Sequence, residues 1–326
     1  MKKRKPGTLL LAPCCAATLG TAHGVGALPP AWSVTPETVL DAPTYTEGPA
    51  FADEALFVSE PKAGRVTRHG PDGAESVFLD SDLGDGRFAS GHNGHATLGD
   101  GKHVVLTRPY VVWTDPDGEV LDALGEHAGR AFALLNDLAL DGAGGFWFTD
   151  SGSRTEPTGA LYHVDATRTA RRLADGLAFP NGVLLVGDTL HVSQSQANDV
   201  LAFDVGSGGA LSNRRVLIAL PAEGLDDAKA APDGMCLGPD GTALGGTLFV
   251  AHNGTGRVRA VSPAGELLAS YRTGLLTNSN CAFGPDGALY VTGSIGLETT
   301  PGAVVRLELL PTDDPTNNPT DEEGSR

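Results

Sequence analysis

Six segments of this chain share one pattern, in which a carboxylate or amide residue precedes a short strand, a Gly- or Asp-containing turn and a second apolar strand. The segments begin at Glu47, Asn93, Asn136, Asn181, Asp233 and Asn280. Their starts are separated by 46, 43, 45, 52 and 47 residues, taken as differences between successive positions. A period of roughly 40 to 50 residues, built from short strands and turns, is typical of β-propeller blades. The sequence therefore predicts an all-β fold, a six-bladed β-propeller with four-stranded antiparallel blades.

The two ends of the chain predict how such a ring closes. The segment GAVVRLELL (302–310) has the pattern of the third strand of the last blade. The segment SVTPETVLDA (33–42) can supply the outermost strand of the same blade from the N-terminal side. Pairing these two segments would join the ends of the ring and cover an open sheet edge. We therefore expect the ring to be closed by an N-terminal strand.

The chain divides into three parts by composition. Residues 1–27 combine a basic stretch (2–5), an apolar run (9–19) and small residues before position 28, which is the pattern of a signal peptide. We therefore expect export to the periplasm or the extracellular space. Residues 28–310 are expected to form a single propeller domain, and the acidic, Pro-rich segment 311–326 is expected to be disordered. No stretch has the length and hydropathy of a transmembrane helix.

Charge and cysteine content limit the kinds of partner. The formal net charge of −17 disfavours nucleic acid and anionic membranes as partners. Exposed faces show no apolar stripe, so a monomer is expected. Cys14 is a weak match to a lipid-anchored cysteine, because Pro13 precedes it. Beyond the leader only Cys236 and Cys281 remain, and they are either buried thiols or a bridge between neighbouring blades.

The first residues of the six repeats predict a metal site. Innermost strands of a propeller run side by side around the central channel, so equivalent residues face the axis at one depth. A single Asn-Gly or Asp-Gly pair is an ordinary turn, but here each polar residue stands before the first strand of its blade. Two carboxylates and four amides at one depth would make a hard-oxygen site. Calcium fits such ligands best, with Mg²⁺, Mn²⁺ or Zn²⁺ as alternatives.

Several longer motifs carry a family resemblance. The segments EGPAF, NDLALDGAGGFWFTDSG, FPNGVLL, PDGMCL and VAHNGTGRV together resemble the gluconolactonase/regucalcin family, which includes bacterial lactonases and diisopropylfluorophosphatase. The resemblance covers roughly residues 45–310 and implies a propeller with one divalent cation at the centre of one face. It implies that Glu47, Asn181 and Asp233 contact the metal. It also implies that Asn136 contacts metal or substrate.

The resemblance implies hydrolysis of a small-molecule lactone or similar ester. A metal ion would polarise the carbonyl group, and Asp233 is the candidate catalytic residue, as general base or as nucleophile. Two other functions remain open at this point. The same residues could support a phosphotriesterase of the diisopropylfluorophosphatase type, or a non-catalytic propeller that binds calcium or another ligand.

The candidate substrate-binding residues lie next to the metal candidates. They are Asn93, His95, Arg108, Asn136 and Asn280. In regucalcin-like members of the family, a guanidinium two residues before the Asn-Asp pair contacts sugar lactones, whereas this chain has Leu134 there, followed by Leu135. This departure predicts a more apolar wall, so an alkyl or aryl lactone is at least as well favoured as gluconolactone.

Overall fold

The computed structural model describes residues 32–84, 86–222, 229–296 and 301–311. Six separate four-stranded antiparallel sheets make up a six-bladed β-propeller, as the repeat predicts. The predicted leader (1–27) and residues 312–326 of the predicted tail lie outside the described residues. No helix in the described part of the chain is both long and apolar enough to span a membrane.

Each of the first three blades takes its four strands consecutively from the chain. Blade 1 consists of β2 (Glu47–Ala52), β3 (Ala55–Glu60), β4 (Arg65–His69) and β5 (Glu75–Leu79). Blade 2 consists of β6 (His95–Thr97), β7 (His103–Leu106), β8 (Val111–Thr114) and β9 (Val120–Leu124). A short hairpin of β10 (Glu126–His127) and β11 (Arg130–Ala131) follows. Blade 3 consists of β12 (Leu135–Leu140), β13 (Phe146–Asp150), β14 (Gly159–Val164) and β15 (Ala170–Leu177).

Blades 4 and 5 repeat this arrangement, and blade 6 combines both ends of the described chain. Blade 4 consists of β16 (Pro180–Val186), β17 (Thr189–Gln194), β18 (Asp199–Val205) and β19 (Leu211–Ala219), with a 3-10 turn at Ser207–Gly209. Blade 5 consists of β20 (Ala231–Leu237), β21 (Leu248–Asn253), β22 (Arg257–Val261) and β23 (Leu267–Arg272). Blade 6 consists of β24 (Thr277–Phe283), β25 (Leu289–Ser294), β26 (Gly302–Pro311) and β1 (Trp32–Ala42).

The predicted closure by an N-terminal strand is confirmed. Strand β1 pairs antiparallel with β26, with Leu40 opposite Val304 and Ala42 opposite Gly302. The innermost strands then contact one another in the order β2, β6, β12, β16, β20, β24 and back to β2. Residues at the start of each repeat are therefore brought together around one axis.

The hydrophobic core is divided among the interfaces between neighbouring blades. In β3, Phe57 packs towards blade 2, while Leu56 and Val58 pack with Val304 of blade 6. Because both faces of such a strand are buried, its sequence is continuously apolar rather than alternating. The segment Phe146–Phe148 of β13 follows the same rule. The innermost strands β2 and β12 pair with these buried second strands, which positions their first residues.

The two cysteines beyond the leader face each other across one of these interfaces. Cys236 lies on β20 of blade 5, and Cys281 lies on β24 of blade 6. Their Sγ atoms are 2.7 Å apart, and both are free thiols.

Candidate functional site

A cavity of about 650 Å³ lies where the innermost strands of five blades begin. Five of the six repeat-start residues line it: Glu47, Asn93, Asn136, Asn181 and Asp233. We call these five residues the axial ring. Arg108 and Leu134, which were also predicted to lie near the site, line the same cavity.

Two predicted substrate-binding residues do not line this cavity. Asn280 and His95 border a second cavity of about 290 Å³, together with Asp137. The ring of His95 is buried beside Phe57, and its Nε2 lies 2.8 Å from Nδ1 of His103. His95 is thus part of the packing between blades 1 and 2.

Asn280 lies one residue beyond the strand position that the other five repeat-start residues occupy in their blades. In β24 the irregularity in strand pairing falls between Asn278 and Asn280, so Ser279 is the residue that corresponds to the ring. The side chain of Asn280 occupies the space that a Cβ on Gly234 would enter, at 1.9 Å. Asn280 therefore corresponds to the residue after the ring position, and it hydrogen-bonds to Asp137, which has the same place in blade 3.

Glycine at the position directly after the ring residue allows the innermost strands to approach one another. A Cβ on Gly48 would lie 2.1 Å from the carbonyl oxygen of Asn93, and Gly48 has a φ of +44°. A Cβ on Gly182 would lie 2.4 Å from the carbonyl oxygen of Asp233. The Gly of Asn-Gly and Asp-Gly in these repeats thus has a packing role at the axis in addition to its turn propensity.

Hydroxyl groups on second strands hold the main chain of the axial ring. Each donates to the carbonyl oxygen of a ring residue on the next blade, at 2.6 Å. The three pairs are Ser59 with Asn93, Thr149 with Asn181, and Ser193 with Asp233. These residues are absent from the predicted site, although Ser or Thr recurs at the same place in FVSE, FWFTDS and HVSQS and could have indicated them.

Hydrogen bonding also fixes which way the ring amides point. Ser151 Oγ donates its only proton to the carbonyl oxygen of Pro180 at 2.8 Å, so towards Asn136 it can only accept. Asn136 Nδ2 donates to Ser151 Oγ at 3.1 Å. Asn181 Nδ2 donates to Ser195 Oγ at 3.2 Å in the same way. Both amide groups therefore present Oδ1, not Nδ2, away from these serines.

The two ring carboxylates are buried with few hydrogen-bond donors. Asp233 Oδ2 accepts from Asn253 at 3.2 Å, whereas Asp233 Oδ1 has no hydrogen-bond partner. Burial raises the pKa of Asp233 to about 8, although hydrogen bonds from Asn253 and Asn181 oppose this rise. Burial, and after it the charges of Asp233 and Asp137, raise the pKa of Glu47 well above its ordinary value. The positive charge of Arg154 has the smallest of these effects on Asp233 and offsets little of the cost of its burial.

The side-chain oxygen atoms at the cavity fit a cation that binds hard oxygen ligands. Two carboxylates and two amide groups line the same cavity, and one carboxylate oxygen is buried without a hydrogen-bond partner. Within the described ranges, no group of three or more His, Cys, Asp or Glu side chains is arranged to hold a metal. A cation here would therefore need the amide oxygens of Asn136 and Asn181, which suits calcium better than zinc.

The walls of the cavity are partly apolar and partly cationic. Leu134 and Phe179 form an apolar side. Lys62, Arg108 and Arg154 come from the loops between the second and third strands of blades 1, 2 and 3, and Lys229 precedes β20. The sequence analysis did not single out Arg154 or Phe179, because neither belongs to the repeated position.

Comparisons with known proteins agree with this architecture. Residues 45–295, more than half of the chain, match the family model described as the SMP-30/Gluconolactonase/LRE-like region. A gluconolactonase of Xanthomonas campestris is 27% identical, with a TM-score of 0.68 over 85% of this chain and 89% of that chain.

Two further solved structures share the fold. Regucalcin of Agrobacterium tumefaciens, described as a calcium-binding protein, is 19% identical, with a TM-score of 0.67 over 82% of this chain and 91% of that chain. A luciferin-regenerating enzyme is 20% identical, with a TM-score of 0.67 over 86% of this chain and 98% of that chain. At these identities the likeness concerns the fold alone.

Proposed function

The chain belongs to the SMP-30/gluconolactonase/LRE-like family, and from this premise we propose that it is a metal-dependent hydrolase that opens a lactone or similar ester. The family indicates a lactonase-type hydrolase acting on a small molecule. The dependence on a metal and the kind of substrate are our proposals. They are supported by the residues around the cavity.

One observation carries the proposal. Asp233 Oδ1 is buried at the cavity without a hydrogen-bond partner, beside the carboxylate of Glu47. Keeping two neighbouring buried carboxylates ionised is costly, so the arrangement favours a bound cation. Glu47, Asn136, Asn181 and Asp233 would hold it, with calcium as the preferred ion and Mg²⁺, Mn²⁺ or Zn²⁺ as alternatives. When bound, such an ion supplies Lewis-acid polarisation of the substrate carbonyl.

Asp233 is the proposed catalytic residue. Asn253 Nδ2 donates to its Oδ2, which restricts rotation of the carboxylate, and Oδ1 is left without a hydrogen-bond partner. Ser193 fixes the main chain of the same residue at 2.6 Å. A carboxylate oxygen held in this way can accept a proton from water or attack the ester carbon. Either role requires the charge and the position of Asp233 together.

The apolar wall of the cavity limits the kind of substrate that can bind there. Leu134 and Phe179 face the cavity at the place where a polyhydroxylated sugar would need hydrogen-bond donors. A ring with an apolar side, such as an alkyl or aryl lactone, would bury that side against them. We therefore propose that the part of the substrate that contacts this wall is less polar than gluconolactone.

The test is a substrate panel with controlled metal content. Sugar, alkyl and aryl lactones and one fluorophosphonate are assayed after EDTA treatment and after restoring calcium. We expect lactone hydrolysis that EDTA abolishes and calcium restores. Hydrolysis that survives metal removal would contradict the metal-dependent mechanism, and turnover of the fluorophosphonate alone would support a phosphotriesterase.

A pair of variants tests the residue assignment. Asp233→Asn should reduce kcat by about 10³-fold or more, because it removes the charge while keeping the shape. Asp204→Asn makes the same change at an exposed position of β18 and should leave kcat unaltered. At a hundredfold excess over Kd, calcium should stabilise the parent protein by about 2.7 kcal/mol and so raise its melting temperature. The melting temperature of Asp233→Asn should not rise. A fully active Asp233→Asn enzyme would remove this residue from the mechanism.

A further inference from the structure

The cavity combines a negative floor with positive walls. The whole chain has a net charge of −17 with only 23 Lys and Arg residues. Four of those cationic residues nevertheless line this one cavity: Lys62, Arg108, Arg154 and Lys229. They come from four different blades, so they gather here only in the folded protein.

Arg108 is fixed at the wall by its own main chain. Its N–H donates to the carbonyl oxygen of Ser90 at 2.6 Å, and Ser90 N–H donates back to the Arg108 carbonyl oxygen at 3.0 Å. The side chain then lies over Gly91, where a Cβ would come within 2.8 Å of Arg108 Nε. This Nε is buried and has no hydrogen-bond partner. Arg108 thus lines the cavity with one guanidinium N–H group, that of Nε, that has no protein acceptor.

Arg154 reaches the same cavity from blade 3. Its guanidinium carbon lies 5.0 Å from the centroid of the Phe179 ring, in a cation–π contact. Gln196 Nε2 donates to the carbonyl oxygen of the neighbouring Ser153 at 3.4 Å, which ties this loop to blade 4. Stacking leaves the edge of the guanidinium, with its N–H groups, available for a planar anion.

The two arginines are close enough to repel each other. Burial, and after it the charge of Arg154, lowers the pKa of Arg108, and the charge of Glu47 opposes this decrease only in part. Within the described ranges, no carboxylate lies at ion-pair distance from either guanidinium. Two like charges facing one cavity are stabilised when a ligand brings the opposite charge between them.

Building on the function proposed above, we propose that the substrate carries an anionic group, a carboxylate or a phosphate, which Arg108 and Arg154 bind at the wall. The ester bond of the same molecule then lies over Glu47 and Asp233, and its apolar part lies against Leu134. The negative floor would repel an anion from the centre, so the two charged regions orient the substrate in one direction. Arg108 and Arg154 thus determine substrate specificity.

Matched substrate pairs test this assignment. D-glucaro-1,4-lactone differs from D-glucono-1,4-lactone by a carboxylate in place of a hydroxymethyl group. The lactone 5-oxotetrahydrofuran-2-carboxylate differs from γ-valerolactone by a carboxylate in place of a methyl group. A third pair, 6-phosphoglucono-1,5-lactone and glucono-1,5-lactone, tests phosphate. We expect kcat/KM for the anionic member to exceed that of its neutral counterpart by about 10- to 100-fold in at least one pair, as expected for a charge-assisted contact.

Variants connect this preference to the two arginines. Arg108→Gln and Arg154→Gln should each reduce the ratio of kcat/KM, anionic over neutral, by about tenfold or more. Arg215→Gln removes the same charge from an ion pair with Asp204 on blade 4, away from the cavity, and should leave the ratio unaltered. A neutral preference in every pair, or equal ratios in the cavity variants and the parent, would overturn the proposal.

A binding measurement separates this proposal from the proposed hydrolysis. Tetrahydrofuran-2-carboxylate has no ester bond, and tetrahydrofurfuryl alcohol is its neutral counterpart. Calorimetry should show tighter binding of the carboxylate to the parent protein, and the difference should disappear in Arg108→Gln. If no lactone is hydrolysed but this binding is seen, the hydrolase function fails and the anion site stands. If lactones are hydrolysed and the carboxylate binds no better than the alcohol, the anion site fails and the hydrolase function stands.

Discussion

Replacing His191 with Gln should make the protein less sensitive to acid. His191 lies on β17, only 1% exposed, with Leu184 opposite on β16 and Ala202 opposite on β18. Its Nδ1 has no hydrogen-bond partner. Burial lowers its pKa from 6.5 to about 4, against a smaller opposing effect of a hydrogen bond to the main chain of Leu184. The imidazole is therefore neutral in the folded protein when it would already be protonated in the unfolded chain.

The size of the effect follows from the two pKa values. Because the pKa of the folded state is the lower one, the unfolded chain binds more protons as the pH falls below about 6.5. Stability is therefore complete above this pH and is lost progressively down to about pH 4. At pH 5 the loss due to His191 is about 2 kcal/mol. In a domain of this size, that corresponds to a decrease in melting temperature of about 4 to 8 °C.

The measurement is the melting temperature of the parent protein and the variant at several pH values between about 7 and 5. We expect the decrease with pH to be about 4 to 8 °C smaller in His191→Gln, whatever the two absolute values at neutral pH. His127→Gln, at a partly exposed position, should follow the parent. Parallel curves for the parent and His191→Gln would refute the assignment of this acid sensitivity to His191.

Three further outcomes test the packing of the ring. Deleting residues 32–41 removes most of the strand paired with β26, and the melting temperature should fall by at least about 5 °C; an unchanged value would refute the closure by this strand. Oxidised glutathione should join Cys236 to Cys281, with reduction of the glutathione disulfide to two thiols. Mass spectrometry should show the loss of two hydrogen atoms, and the bond should stabilise the protein by about 4 kcal/mol in the chain-entropy account. An unchanged mass would contradict this. In urea denaturation, Gly48→Ala should cost about 3 kcal/mol or more, because its Cβ meets main chain of the next blade. Gly187→Ala, also at positive φ but with open space around it, should cost about 1 to 2 kcal/mol, and equal losses would refute the steric argument.

The architecture was predictable because its signal is repeated along the chain. Each blade must bury both faces of its inner strands and turn back within a few residues, so the same pattern of apolar strands and turns recurs at a nearly constant period. The closing strand was predictable for a related reason. Blade 6 lacked a fourth strand at the C-terminal end, and the segment before Glu47 had none to pair with.

The position of Asn280 was not predictable in the same way. The segment TNSNC contains two asparagines and a serine before the apolar residues, so the sequence alone allows more than one alignment with the other repeats. The irregular pairing between Asn278 and Asn280 decides which residue meets the ring. Shifting a strand by one residue reverses the direction of every side chain, and this moves Asn280 to the second cavity beside Asp137.

The sequence by itself determined the six blades and five of the six residues that it aligned at the axis, since these depend on residues that recur at a fixed place in a local repeat. Only the tertiary structure decided which atoms of the axial ring face the cavity. Ser151 and Ser195 orient the ring amides by hydrogen bonds that cross from one blade to the next. It also decided that Arg108 and Arg154 share one wall, because their loops are distant in sequence and are joined only by closure of the ring. The repeat is visible in the order of residues along the chain, whereas contacts between blades form only once the blades are packed.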